Sequence, residues 1–174
     1  EKDGHFTAVV RISPREEIAE QTPYPVDGDE YKPYLADTPF IKPGDAKIIS
    51  AARRAVQGTG TALEAVRSLS AWVHGYIEGG LIAETLSGPE VLACKKGKCT
   101  EYSTLFASLA RSVGIPTRIV LGERMVAGQW MGHMWNEAYV GRWIVVDTSA
   151  DEVGDSVSLL KFIHSDTVNG TQPL

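Results

Sequence analysis

Three residues of this sequence carry side chains that together could perform nucleophilic catalysis: Cys99, His133 and Asp147. A cysteine reacts as its thiolate, an imidazole can take up and return the proton, and a carboxylate can hold the imidazole in one tautomer. Each residue alone is a weak signal. Found together in the order Cys, His, Asp, they indicate a cysteine nucleophile with its base and orienting carboxylate.

Cys99 stands where a helix is predicted to begin, in the stretch GKCTEYSTLFASLARSVGIPTR. The unpaired N–H groups of a helix N-terminus carry about half a positive charge and lower the pKa of a nearby thiol. Lys95, Lys96 and Lys98 add positive potential. The alternative is that Cys99 is a small core residue at a helix start, which is the commoner role of an isolated cysteine. His133 and Asp147 shift the balance towards a nucleophile.

His133 and Asp147 lie on two adjacent predicted strands, so a single hairpin could bring them together. A two-residue turn at Gly141-Arg142 would pair Val140 with Trp143 and put the two side chains on opposite faces of the sheet. A three-residue turn at positions 140–142 pairs Tyr139 with Trp143 and restores a common face. We therefore predict the three-residue turn or an equivalent bulge.

The elements that must position these residues are helices followed by strands. Asp45 and Thr61 are predicted N-caps of two helices, Ser87-Gly88-Pro89 is predicted to open a short helical turn, and Gly114 with Pro116 ends the helix of Cys99. Apolar residues at positions 63, 66, 69, 73 and 77 form one stripe of the second helix. Period-two patterns predict strands at TRIVLGERM, GHMWNEAYV and RWIVVDTSA, and residues 158–164 are predicted to form a closing helix. Residues 6–13 are predicted to form a strand, residues 15–20 one short helix, and the proline-rich stretch 14–46 an extended chain along the surface.

Composition limits the classes of function. The chain has 174 residues, of which 43% are hydrophobic, enough for one core, and a net charge of −5 with no basic stripe, so nucleic acid is not an expected partner. No apolar run approaches the roughly 20 residues that span a bilayer. Two cysteines and four histidines are too few for a disulfide framework or a zinc quartet, and we expect no cofactor or metal.

Residues 45–148 resemble the transglutaminase-like superfamily of cysteine hydrolases and acyltransferases. Five motif blocks carry the resemblance, in order: AWVHGYI, GKC, LFASLARSVGIPTR, HMWNE and WIVVDTSA. The resemblance implies an α+β fold with a papain/transglutaminase-like core, in which helices pack on a twisted antiparallel sheet and the nucleophile lies at a helix N-terminus. It also implies that Cys99 is the nucleophile, His133 the general base and acid, and Asp147 the orienting carboxylate.

Other polar and aromatic residues receive lesser roles. We expect the backbone N–H of Cys99 to bind the oxyanion, and Trp130 and Trp135 to line the substrate groove unless they serve packing. Cys94 could form a disulfide with Cys99, although a buried free thiol is the preferred expectation. Asn136 could partner the imidazole but should point to the opposite face of its strand.

The expected function is cysteine-dependent hydrolysis of amide bonds in a peptide or protein, or acyl transfer, through an acyl-thioester. A catalytically silent binding or scaffolding module is the alternative. We expect residues 1–42 to be a strand and proline-rich lead-in, residues 43–165 the catalytic domain and residues 166–174 a tail, all part of a longer polypeptide. The lead-in YKPYLADTPFIKPGD resembles that of exported bacterial members, which implies a periplasmic or secreted location, with a cytoplasmic one as the alternative.

Overall fold

The computed structural model describes residues 21–167, so the predicted strand at residues 6–13 and the short helix at residues 15–20 lie outside the described residues. It has an α+β fold, as predicted, in which α-helices pack against an antiparallel sheet. The elements are a 3₁₀ helix (Asp29–Tyr34), α1 (Ala46–Ala55), α2 (Ala62–Tyr76), β1 (Glu78–Gly79), α3 (Gly88–Cys94), β2 (Lys96–Gly97), α4 (Cys99–Ser112), β3 (Thr117–Val126), β4 (Gln129–Tyr139), β5 (Trp143–Asp147), β6 (Glu152–Val153) and β7 (Leu159–Ser165).

The first three α-helices begin where the sequence predicts, α1 and α2 at their predicted capping residues and α3 at Ser87-Gly88-Pro89. The Asp45 carboxylate accepts hydrogen bonds from the N–H groups of Lys47 and Ile48 at 2.8 and 3.1 Å. Thr61 and Ser87 begin α2 and α3, each with a glutamate three residues later that bonds back to the capping residue. Such caps satisfy the N–H groups that a helix start leaves unpaired, so local sequence alone places these starts.

The core lies between the helices and the sheet. The predicted stripe of α2 is buried, and it packs with α4 side chains Leu105, Phe106 and Leu109 against residues of β5. A second apolar cluster joins Ile41 of the lead-in to Ala107, Ile119 and Met134. This second cluster brings α4 against β4 beside Cys99.

The five-stranded sheet has the order β6-β5-β4-β3-β7, and its pairs are antiparallel. The prediction of a closing helix at residues 158–164 is wrong, because these residues form the edge strand β7 against β3. The apolar residues of LLKFIHS stand at helical spacing, yet three of them remain exposed: Leu160, Phe162 and Ile163. The open edge of β3 supplies backbone hydrogen bonds that outweigh this weak local pattern.

Buried Arg111 ties α4 to its surroundings. Its guanidinium donates to the carbonyl oxygens of Ala36, Thr117 and Asp166 at 2.5–3.1 Å, and burial lowers its pKa to about 10. Arg111 therefore connects α4 by hydrogen bonds to the proline-rich segment before α1, to the first residue of β3 and to the residue after β7. Within residues 21–167, no helix is long and apolar enough to cross a membrane.

Candidate active site

Cys99 is the first residue of α4, as the sequence predicts. The chain before it is fixed by a short parallel ladder in which β2 pairs with β1, directly after α2. Tyr102, one turn into α4, donates its hydroxyl hydrogen to the carbonyl oxygen of Ile77 at 2.8 Å. The start of α4 is therefore held to the end of α2, and the backbone N–H of Cys99 stays outside the ladder of hydrogen bonds within the helix.

The turn between β4 and β5 has the predicted length. Tyr139 pairs with Trp143 across three residues, and Gly141 in the middle takes a φ of 97°, in the left-handed region that favours glycine. The same register pairs Asn136 with Val146, so Asp147 comes next to the position of Trp135. His133 and Asp147 thus occupy one face of the sheet.

The imidazole and the carboxylate are hydrogen bonded. His133 Nε2 lies 2.7 Å from Asp147 Oδ2, and the two side chains are 13% and 1% exposed. Ser149 donates to the other carboxylate oxygen, Oδ1, at 2.7 Å. Burial raises the pKa of Asp147, but the hydrogen bonds from His133 and Ser149 and the nearby positive charges outweigh it and hold that pKa below its ordinary value.

The thiol of Cys99 completes the line. It is hydrogen bonded to the side chain of His133 and to the backbone groups of Met134 and Thr100. Because Nε2 of His133 is engaged with Asp147, the nitrogen left for the thiol is Nδ1. Sulfur, imidazole and carboxylate are therefore connected in the sequence that proton transfer requires.

The electrostatics of the pair favour an ionised thiol. Burial raises the pKa of Cys99, but the hydrogen bonds and the charge of His133 reverse this effect and bring that pKa below its ordinary value. Burial lowers the pKa of His133, while Asp147 and the Cys99 sulfur raise it more strongly, to about 9. The two shifts describe a thiolate and an imidazolium that stabilise each other, and their titrations belong to the pair.

The two tryptophans predicted to line the groove differ. Trp130 is 42% exposed, and its contact with a substrate stays a prediction. Trp135 is only 1% exposed, and its ring stacks beside that of His133 at a centroid distance of 6.1 Å. A ring this deeply buried presents no face to an incoming substrate, so Trp135 supports the imidazole and does not line an open groove.

The remaining candidates are also placed. Asn136 points to the opposite face, as predicted, and donates to the carbonyl oxygen of Ser103 at 3.2 Å. Cys94 is a free thiol but is exposed, so its predicted burial is wrong, because α3 ends there and turns that side chain outwards. In the part of the chain that the structure describes, no group of three His, Cys, Asp or Glu side chains could hold a metal ion.

Sequence reasoning missed two charged residues beside the site. Arg124 of β3 donates to Asp147 Oδ2 at 2.7 Å and also binds Glu152 of β6. No sequence motif predicts these two contacts, because they depend on the order of β3, β5 and β6 in the sheet, which the sequence does not reveal.

Comparisons with known proteins agree with this fold. The family model of the transglutaminase-like superfamily matches residues 49–148. The structure is similar to that of a Cytophaga hutchinsonii protein described provisionally as a cysteine protease, with a TM-score of 0.75 and 20% identity over 87% of this chain and 53% of that one. At that identity the likeness establishes the fold alone.

A curated relative covers a smaller part of the chain. An uncharacterised protein of Haemophilus influenzae is 49% identical over 37 residues, which are 21% of this chain and 10% of that protein. The chain thus spans about half of the solved structure and a tenth of the curated relative.

Proposed function

Because the chain belongs to the transglutaminase-like superfamily, we propose that it is a cysteine-dependent enzyme that cleaves or transfers acyl groups of amide bonds in peptides or proteins. The observation that carries the proposal is the connected line of Cys99, His133 and Asp147, in which the pKa of the thiol is lowered and that of the imidazole is raised to about 9.

The proposed reaction begins with attack of the Cys99 thiolate on the amide carbonyl carbon. The oxygen takes the negative charge, and the backbone N–H of Cys99 at the start of α4 is the donor we assign to it. His133 then gives its proton to the leaving nitrogen as the C–N bond breaks, which leaves an acyl-thioester on Cys99. Asp147 keeps the imidazole oriented and supports its positive charge.

The acyl-thioester has two outcomes. If water attacks, His133 takes a proton from the water, the C–S bond breaks to release the Cys99 thiolate, and the product is a carboxylic acid. If a primary amine attacks, the same base acts and the product is a new amide. We favour hydrolysis, because the sequence contains no recognisable site for an acyl-accepting amine.

Thiol labelling separates an enzyme from a silent binding module. Cys94 is exposed and would react as well, so the measurement is made on a Cys94→Ser protein, where Cys99 is the remaining thiol. We expect iodoacetamide to modify Cys99 at pH 6 far faster than a model thiol, and His133→Asn to abolish this advantage. An ordinary thiol titration of Cys99 would contradict the proposal.

Trapping of the acyl-enzyme identifies the reaction. The Cys94→Ser protein is incubated with a peptide library and quenched in acid, and mass spectrometry finds peptide fragments attached to Cys99. Cys99→Ala is the control and should carry none. Repeating the incubation with a primary amine distinguishes the outcomes, since transfer gives amine adducts where hydrolysis gives free acids.

We also propose that the protein works in the periplasm or outside the cell, on the basis of the resemblance of the lead-in YKPYLADTPFIKPGD to those of exported bacterial members. Fractionation of cells that express the full-length protein tests this, with immunodetection in the periplasmic and cytoplasmic fractions. Recovery in the cytoplasm alone would contradict the proposed location.

A further inference from the structure

Arg124 connects the candidate active site to a second carboxylate. Its Nη1 donates to Asp147 Oδ2 at 2.7 Å and lies 3.1 Å from Glu152 Oε2, while its Nη2 donates to Glu152 Oε1 at 2.6 Å. The arginine is 16% exposed, and its planar head is held by both oxygens of Glu152. This two-point grip fixes the guanidinium in one orientation.

The oxygen that Arg124 binds is the one that holds the imidazole. Asp147 Oδ2 accepts from both Arg124 and His133 Nε2, each at 2.7 Å. The negative charge of this buried carboxylate is therefore divided between two cations whenever His133 is protonated. The division has a chemical consequence, because His133 must release its proton to the leaving nitrogen in the proposed reaction.

We propose that Arg124 is a positioning residue that acts on His133 through Asp147: it takes up part of the charge of the carboxylate, so that the imidazolium can give up its proton. Glu152 holds Arg124 and moderates its charge. This inference rests on the proposed function in one respect: the proton of His133 is taken to protonate the leaving nitrogen. The effect on the imidazole itself is a property of the folded protein.

The charged groups around His133 determine the sign of the effect. Asp147 faces the imidazole from β5 and Cys99 faces it from α4, and behind Asp147 stand Arg124 of β3 and Glu152 of β6. Without the positive charge of Arg124, two carboxylates would remain near the imidazolium, and the pKa of His133 would rise above about 9. Without the negative charge of Glu152, the pKa of His133 would fall.

A structural salt bridge predicts a different pattern. If Arg124 merely braced the fold, its loss would let Asp147 turn away from His133, and the pKa of the imidazole would move down towards its ordinary 6.5. Loss of Glu152 would have the same effect. Opposite shifts for the two substitutions therefore identify the electrostatic role.

The chain provides a matched control in Arg118. It lies on the same strand and is 14% exposed, and its Nε binds Glu137 Oε2 at 2.6 Å, with no hydrogen bond to Cys99, His133 or Asp147. Arg118→Met also removes a half-buried ion pair from β3. This variant therefore shows how far the loss of an ion pair on β3 changes the structure of the sheet when the pair does not contact Asp147.

The experiment follows the ring signals of His133 by NMR as a function of pH in the Cys94→Ser protein, with Arg124→Met, Glu152→Gln and Arg118→Met as variants. We expect the upper pKa of the His133–Cys99 pair to rise by about one unit in Arg124→Met, to fall in Glu152→Gln and to stay in place in Arg118→Met. A fall or no change in Arg124→Met overturns the inference. If Arg124→Met does not fold, Glu152→Gln and Arg124→Lys decide together, because lysine keeps the positive charge without the two-point grip on Glu152. A fall in the pKa of His133 in Glu152→Gln with no change in Arg124→Lys supports the inference, whereas a fall in both variants or no change in either overturns it.

A kinetic measurement links the shift to chemistry. The rate of acylation of Cys99 by a peptide ester, whose leaving group needs little protonation, should change less in Arg124→Met than the rate with the matching amide, which should fall severalfold and by at most about tenfold. Equal losses with both substrates would contradict the role. If Cys99 is not acylated at all, the proposed function fails, while the His133 titration still decides the role of Arg124.

Discussion

Tyr139 pairs with Trp143 across the three-residue turn between β4 and β5, and this pairing sets His133 and Asp147 on one face of the sheet. A register shifted by one residue would turn every side chain of β5 to the opposite face and would carry the Asp147 carboxylate away from His133. The hydrogen bond between the imidazole and the carboxylate therefore depends on a turn that contains neither residue.

The glycine of this turn should be difficult to replace. Gly141 has a φ of 97°, which a β-branched residue adopts only with strain, so Gly141→Val is expected to lower the free energy of unfolding by about 1–3 kcal/mol. Urea denaturation measures the change. Gly75→Ala in α2 is the control, since added methyl groups meet nothing there and alanine favours helix by about 0.5–1 kcal/mol. Similar decreases in the free energy of unfolding in both variants would show that the positive φ at position 141 does not require glycine.

Asp147→Asn should weaken the ion pair without removing the side chain. An amide cannot support the imidazolium as a carboxylate does, so the pKa of His133 should fall from about 9 towards its ordinary value, and turnover should drop by roughly 10² or more. The pH dependence of Cys99 labelling reports the first effect and peptide cleavage the second. Ser149→Ala, which removes one donor to Oδ1, should change both far less. A variant Asp147→Asn with wild-type labelling at pH 6 would argue against the orienting role.

The pH dependence of stability should reveal the coupled titration of Cys99 and His133. The pKa of His133 is raised from 6.5 to about 9, so its stabilising contribution is full below pH 6.5 and is lost as the pH rises towards 9. Cys99, whose pKa is lowered, contributes with the opposite sign, and its contribution is lost as the pH falls through that lowered value. Between pH 6.5 and 9 the folded pair and the unfolded chain each bind one proton, so these contributions cancel.

Cys99→Ser removes this cancellation. His133 then keeps only its stabilisation by Asp147, and the free energy of unfolding of the variant should decline between pH 6.5 and 9 by at most about 3 kcal/mol. The wild-type protein should change much less over the same range. Urea denaturation at pH 6, 7.5 and 9 provides the comparison, and parallel curves for the two proteins would exclude the proposed ion pair.

Gly122→Ala should disturb the support of the imidazole. A Cβ at this position of β3 would collide with the backbone oxygen of Leu160 and lie 2.7 Å from the ring of Trp135. We expect a loss of about 1–3 kcal/mol in stability together with slower labelling of Cys99. Gly132→Ala on β4, where an added Cβ meets nothing within 4 Å, is the matched control and should be stable. Thermal unfolding and labelling at pH 6 test both variants.

The sequence predicts the features of this protein that have local causes. Capping by Asp45, Thr61 and Ser87 places three helix starts, and the parity argument gives the turn between β4 and β5. Features with distant causes were missed or wrong. Residues 159–165 become a strand because β3 offers an open edge, and Arg124 reaches Asp147 because β3 and β5 flank β4. The local pattern of apolar and polar residues predicts neither the order of the strands in the sheet nor which strand lies at its edge.

The 3₁₀ helix Asp29–Tyr34 lies beside the two strands that flank this turn. The ring of Tyr31 stands 4.6 Å from that of Tyr139, and the ring of Tyr34 stands 5.1 Å from that of Trp143. Tyr31 and Tyr34, which precede the α-helices, thus contact Tyr139 and Trp143, the two residues whose pairing aligns the site. For protein engineering, a minimal fragment should begin before Asp29, because a fusion joined at residue 43 would remove Tyr31 and Tyr34 and with them these contacts to the hairpin.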